Sequence, residues 1–158
     1  MLFFIQNLIN PFLISEIYPG SAILWTFYPA AETKIDADDY EVLPKLRSKR
    51  VEQFRMDNYG KVQLLPVNVA RVFPNIQQYS TNFCGIKRIT KENYKGLRKL
   101  VGIGSVENEI TELEAGSFDD QVELVYLNYN KNKIMELPEN LFRNLRKLEG
   151  LHLNENYL

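Results

Sequence analysis

Three asparagines, Asn108, Asn132 and Asn156, stand 24 residues apart, and Cys84 stands 24 residues before the first of them. An asparagine amide offers two donors and a carbonyl acceptor, so at a fixed spacing it suits a recurring turn whose backbone groups have lost their ladder partners. A buried backbone group left unpaired costs about 1–3 kcal/mol, which constrains the residue type at such a spot. The chemistry on offer is therefore structural hydrogen bonding, and these asparagines need no ligand to explain them. Cys84, in the same series, reads as a small buried side chain in a turn and not as a reactive thiol.

Other chemistry-bearing residues do not assemble into a catalytic set. His152 is the single histidine and lies between Leu151 and Leu153, so it points outward from a strand. Asp36, Asp38, Asp39 and Glu41 cluster, but the glycine and later bidentate glutamate of a calcium loop are missing, and a solvated turn is expected. Lys45, Arg47, Lys49 and Arg50 make a short basic run that reads as a solvated face. There is no G-x-S-x-G, P-loop or metal-spaced Cys/His set. No catalytic residue, metal site or cofactor is expected, and the chain is read as a non-enzyme. No asparagine begins a glycosylation sequon ending in Ser or Thr, and Asn82-Phe83-Cys84 comes nearest. A formal charge of -1, from 19 basic and 20 acidic residues, argues against a nucleic-acid partner recognised through a basic field.

The elements that position these residues repeat with them. From Leu97 the chain reads Leu97, Leu100, Ile103, Ser105, Asn108, Ile110, Leu113 and Phe118. One step of 24 residues gives Gln121, Leu124, Leu127, Tyr129, Asn132, Ile134, Leu137 and Phe142. A second step gives Leu145, Leu148, Leu151, Leu153, Asn156 and Leu158, which fit L-x-x-L-x-L-x-x-N-x-L throughout. Backwards, Phe73, Ile76, Tyr79, Thr81, Cys84, Ile86, Ile89 and Tyr94 carry the register, and Val62 and Leu65 sit one step earlier, with Pro66 matching Pro138. Val51-x2-Phe54-x-Met56 looks like a first strand, one residue out of phase. Each buried Leu or Phe contributes about 1.5–3 kcal/mol only if a neighbouring coil covers it. Such a unit is stable only in a stack.

This pattern resembles the leucine-rich repeat superfamily, in particular its 24-residue class with Phe near the repeat end, common in animal extracellular proteins and receptor ectodomains. The stretch Val62–Leu100, with Pro66 and Phe73-Pro74-Asn75-Ile76, is similar to first repeats of secreted arthropod leucine-rich repeat proteins. The resemblance covers about two-thirds of the chain. It implies an α/β solenoid: a right-handed coil with a short parallel β-sheet on the concave face and loops or short helices on the convex face. Five strands are expected, near 54–56, 79–81, 103–105, 127–129 and 151–153. Thr81 and Ser105 depart from the pattern where a second strand leucine should stand, so thinner or locally distorted coils are expected there. Secreted relatives carry cysteine-rich caps, which a chain with one cysteine cannot form. The series stops in mid-coil at Leu158, which reads as a fragment truncated at the C-terminus or an edge that a partner covers.

Residues 1–50 form a separate N-terminal segment and 51–158 the repeat domain. In residues 1–31 Glu16 is the sole charged side chain. A signal peptide, with Gly20-Ser21-Ala22 as cleavage site, competes with an irregular cap in which Ala22–Tyr28 is a strand. Gln6, Asn7, Asn10 and Pro11 interrupt the apolar run, so there is no clear membrane anchor.

Function is expected on the outward side of the strands. Ser80, Gly104, Asn128 and His152 make one column there, and Asn82, Val106, Asn130 and Asn154 the next. Phe83, Glu107, Lys131 and Glu155 run beside them, with Gln78, Gly102, Tyr126 and Gly150 on the other flank. These positions have no core duty, so they form the expected binding face, with Phe83 and Tyr126 as aromatic anchors. The partner class is a protein or peptide, with a glycan as a further class, and self-association through the uncapped C-terminal repeat stands beside it. By resemblance the location is extracellular or at the cell surface. An intracellular adaptor or self-assembling scaffold is the alternative, and a cytoplasmic location stays open.

Overall fold

The computed structural model describes strand segments 12–15 and 23–29 and residues 51–57 and 62–158. The acidic cluster at 36–41, the basic run at 45–50 and the Gly20-Ser21-Ala22 tripeptide lie outside the described residues. Strands follow as β1 (Phe12–Ser15), β2 (Ile23–Pro29) and β3 (Val51–Arg55). A single helical turn, α1 (Val69–Val72), comes next, then β4 (Gln78–Ser80), β5 (Arg88–Ile89), β6 (Gly102–Gly104), β7 (Glu112–Leu113), β8 (Tyr126–Asn128) and β9 (Gly150–His152). One sheet runs in the order β1-β2-β3-β4-β6-β8-β9, and β5 pairs with β7 in a second, two-stranded sheet.

The repeat strands are parallel and in register. Tyr79 pairs with Ile103, Ile103 with Leu127, and Leu127 with Leu151. Phe54 pairs with Tyr79, so the first step is 25 residues and the rest are 24. The strands expected at 79–81, 103–105, 127–129 and 151–153 each lie one residue earlier, and the one expected at 54–56 runs over Val51–Arg55. The second core residue of each coil lies just past the strand end, yet Thr81, Ser105 and Tyr129 still donate their amides to the next coil's Gly104, Asn128 and His152 carbonyls. Upstream, β2 joins β3 in parallel and β1 joins β2 antiparallel.

The coils at Thr81 and Ser105 are not distorted, because the sheet register passes through both without a break. The short side chains satisfy each other instead, with Thr81 Oγ1 3.2 Å from Ser105 Oγ, both fully buried. Large tyrosines fill the core around them. The Tyr94 and Tyr129 hydroxyls meet at 2.9 Å with both residues at 0% exposure. Burial pushes both hydroxyls far up from the ordinary tyrosine range, so the pair stays neutral. An aromatic column, Tyr94, Phe118 and Phe142, runs through the repeat ends with centroids 5.9 and 6.1 Å apart. Aromatic pairs at these spacings add to the area they bury.

Candidate binding surface

The turn after each strand is built by the amide series. Asn108 accepts the Cys84 and Ile86 N–H groups at 2.9 and 3.2 Å and donates to the Thr81 carbonyl of the preceding coil at 2.8 Å. Asn132 accepts the Ile110 N–H at 3.1 Å and donates to the Ser105, Tyr129 and Asn130 carbonyls. Asn156 repeats this with the Ile134 N–H and the Tyr129 and Leu153 carbonyls. Cys84, where the amide is replaced, points its thiol at the Met56 carbonyl, 2.7 Å away. These side chains tie each turn to the coil before it.

The residue preceding each of them is left-handed. Phe83, Glu107, Lys131 and Glu155 have φ of 59°, 54°, 57° and 58°. None is glycine, so each pays the steric cost of a β-carbon in that region. Their side chains are exposed and stand together beside an open groove of about 590 Å³ that Gly85, Asn108, Glu109 and Lys133 also line. Lys131 Nζ sits 2.8 Å from Glu107 Oε1, and Lys133 Nζ 3.3 Å from Glu109 Oε1. Hydrogen bonding to Glu107, then the charges of Glu107 and Glu155, hold the Lys131 ammonium above its usual range.

On the sheet, Ser80, Gly104, Asn128 and His152 share one line of the register, as Gln78, Gly102, Tyr126 and Gly150 share another. Large and small residues alternate along the second line. A β-carbon at Gly102 would collide with the Gln78 amide, and one at Gly150 would meet the Tyr126 ring at 2.7 Å. Each long side chain therefore lies over the glycine of the next coil. Gly102 is buried in consequence, which the outward reading of that column did not foresee. Tyr126 is 43% exposed, packs its ring 4.9 Å from the His152 imidazole and takes a hydrogen bond from Asn128 Nδ2 at 3.2 Å. Phe83, 44% exposed, lines the groove on the turn flank.

The column of Asn82, Val106, Asn130 and Asn154 is not free of structural duty. Asn82 Oδ1 accepts the Val106 N–H at 2.8 Å, and Asn130 Oδ1 accepts the Asn154 N–H at 2.8 Å. Asp57 starts the series by accepting the Asn82 N–H at 2.8 Å, the Ser80 hydroxyl and Arg55 Nε. Val106 cannot take its turn, and the Asn130 N–H turns to Asn128 Oδ1 in its own coil, at 3.0 Å. Sequence reasoning missed Asp57 because its 25-residue distance from Asn82 hides it from a 24-residue search.

Parallel strands stack at a 24-residue step, and from Asn108 on each turn is closed by an amide that grips the preceding coil. Residues 106–158 match the family model described as leucine rich repeat. By this match residues 106–158 are made of leucine-rich repeats. Among curated proteins, this chain is 32% identical over 99 residues to the rat (Rattus norvegicus) leucine-rich repeat-containing G-protein coupled receptor 5. That alignment takes in 63% of the chain and 11% of the receptor. Among solved structures, the crystal structure of a TLR13–ssRNA13 complex superposes with a TM-score of 0.58 at 20% identity, over 68% of this chain and 18% of that one. At that identity the likeness shows the repeat fold alone. The chain thus spans a small part of both proteins. No helix of the described residues is long and apolar enough to cross a membrane.

Proposed function

We propose that the concave sheet and its turn flank bind a protein or peptide ligand, without catalysis, outside the cell or at its surface. The observation that carries this is the Tyr126–Asn128–His152 cluster, an exposed aromatic packed on a half-buried imidazole and held by its own contacts on a face that the core does not need. Pre-held aromatic side chains give contact area at low entropic cost. Similarity to a receptor supports both the binding role and the location. Arg55, in register with Ser80, is bound to Asp57, and Lys131 beside the strand columns is paired with Glu107, so a phosphate backbone finds no unpaired basic track here. Repeat strands spaced about 4.8 Å apart give a face about 20 Å wide. This is small against the ~800 Å² per partner of a standard interface, so the groove beside Phe83 belongs to the same surface.

The test uses a peptide ligand selected on the immobilised chain from a displayed library. Tyr126→Ala should weaken that ligand by about tenfold or more with the fold intact, while Glu139→Ala on the convex side leaves it unchanged. A ligand indifferent to the first and sensitive to the second refutes the reading. The alternative, an intracellular adaptor or self-assembling scaffold, draws on the single cysteine and on the exposure of Leu151 and Leu158, 43% and 58%. Sequencing the N-terminus of the protein from its native source separates the two, since a cleaved leader supports only the first.

A further inference from the structure

Strand β6 carries no side chain on its outward face. Gly102 and Gly104 stand where β4 has Gln78 and Ser80 and β8 has Tyr126 and Asn128. The Gln78 amide closes over Gly102, but Gly104 stays open. Among the described residues a β-carbon there would come no nearer than 3.7 Å to another coil, at Asn82 Oδ1. Strands about 4.8 Å apart put the flanking side chains about 9.6 Å from each other across this gap. One side chain's thickness fits between them. Val106, half-buried two residues on, continues the floor as an apolar surface.

Both walls of the slot are held in place from within. Ser80 donates its hydroxyl to Asp57 at 2.9 Å and accepts Asn82 Nδ2 at 3.0 Å, while Asn82 Oδ1 takes the Val106 N–H at 2.8 Å. Opposite, Asn128 Oδ1 takes the Asn130 N–H at 3.0 Å and its Nδ2 donates to the Tyr126 hydroxyl at 3.2 Å. The slot is therefore preformed, and a ligand is spared the cost of ordering its walls. The same bonds decide what it can hold. There is no Asp, Glu, Lys or Arg within 78–82, 102–106 or 126–130, and Asp57, one coil further back, is bound to Arg55. A charged group would lose its water here and gain no counter-charge. The wall acceptors already hold donors, so the hydroxyls of a sugar ring would find them engaged. What is left is a narrow cleft, floored by a glycine and a valine between engaged amides, which suits an uncharged planar ring.

We propose that the slot over Gly104 receives one aromatic side chain, Phe, Tyr or Trp, of a peptide ligand, and that Gly104 sets this specificity. The proposal rests on the concave face being the peptide-binding surface.

The probe is the set of peptides selected on the immobilised chain from a displayed library. They should share one aromatic residue whose change to Ala weakens binding by about tenfold or more. Gly104→Val fills the slot and should weaken the unaltered peptide by a similar factor. It should change the affinity of the Ala-substituted peptide by less than about twofold, because the two changes remove the same contact. The variant should melt no lower than the parent, since its β-carbon has room and valine favours strands. Gly104→Ala, the smaller filling, should give an intermediate loss and serves in its place if valine disturbs the fold. Selected peptides without a shared aromatic, or an aromatic whose loss adds in full to that of Gly104→Val, overturn the proposal. If Tyr126→Ala weakens the peptide and Gly104→Val does not, the slot fails and the concave-face reading stands. If neither matters, both fall. A chain that selects no peptide yet binds a glycan array, with loss on Gly104→Val, overturns the aromatic occupant.

Discussion

Two series of side chains run along this solenoid on either side of the same turn, and both are mostly asparagine. The inner one, Asn108, Asn132 and Asn156, makes at least three hydrogen bonds per amide. The outer one, Asn82, Asn130 and Asn154, contributes one acceptor per coil where it acts at all. Bond length does not rank them. The outer bonds measure 2.8 Å, whereas Asn132 holds the Ile110 N–H at 3.1 Å. Burial ranks them, since Asn108 and Asn132 are 7% and 5% exposed while Asn82 and Asn130 are half-buried. A group that water can reach loses little when its partner is removed, and a group that water cannot reach loses the whole desolvation cost. The same residue type is therefore a fastener on one side of the turn and an adjustable surface on the other.

The largest effect expected from this difference is at Asn132. Asn132→Ala strands the Ile110 N–H and the Ser105 carbonyl, while the Tyr129 and Asn130 carbonyls keep Asn156 Nδ2 and the Glu107 N–H, and it should destabilise by about 2–3 kcal/mol in chemical denaturation with an unchanged m-value. Asn130→Ala removes one partner from the Asn154 N–H, which water can replace, and should cost about 0.5 kcal/mol. Equal midpoints for these two variants would erase the distinction. The smallest effect is a gain. Val106→Asn supplies the missing rung, so the new amide can take the Asn130 N–H and release Asn128 towards a ligand. Its stability should rise by a few tenths of a kcal/mol, and the Asn130 amide proton should shift in the NMR spectrum. Destabilisation by more than about 1 kcal/mol would show that Val106 packs where the outer series needs no rung.

The inner series was legible in the sequence because a buried turn restricts residue type at a fixed period. Ile103, Leu127 and Leu151 gave the strand register for the same reason, although the strands end one residue before the second core position. The outer series was hidden by its weaker constraint. Val106 interrupts it, and Asp57 joins it one residue out of step, across the 25-residue pairing of Phe54 with Tyr79. Thr81 and Ser105 looked like defects because hydrophobic pattern alone cannot foresee that two short hydroxyls bond each other, or that the Tyr94 and Tyr129 hydroxyls meet across 35 residues. The left-handed backbone at Phe83, Glu107, Lys131 and Glu155 left no trace in composition either, since no glycine marks it. The short β5–β7 sheet rests on two residues per strand, below what alternation can reveal.

Amide hydrogen exchange of the unmodified chain tests the claim that burial, and not the bond itself, separates the two series. The N–H groups of Cys84, Ile86 and Ile110, held by the inner amides, should exchange only through global unfolding. Those of Val106 and Asn154, held by the outer amides at 2.8 Å, should exchange about 100-fold faster through local opening. Equal protection in the two sets would contradict the account, because the outer asparagines would then fasten the coils as firmly as the inner ones.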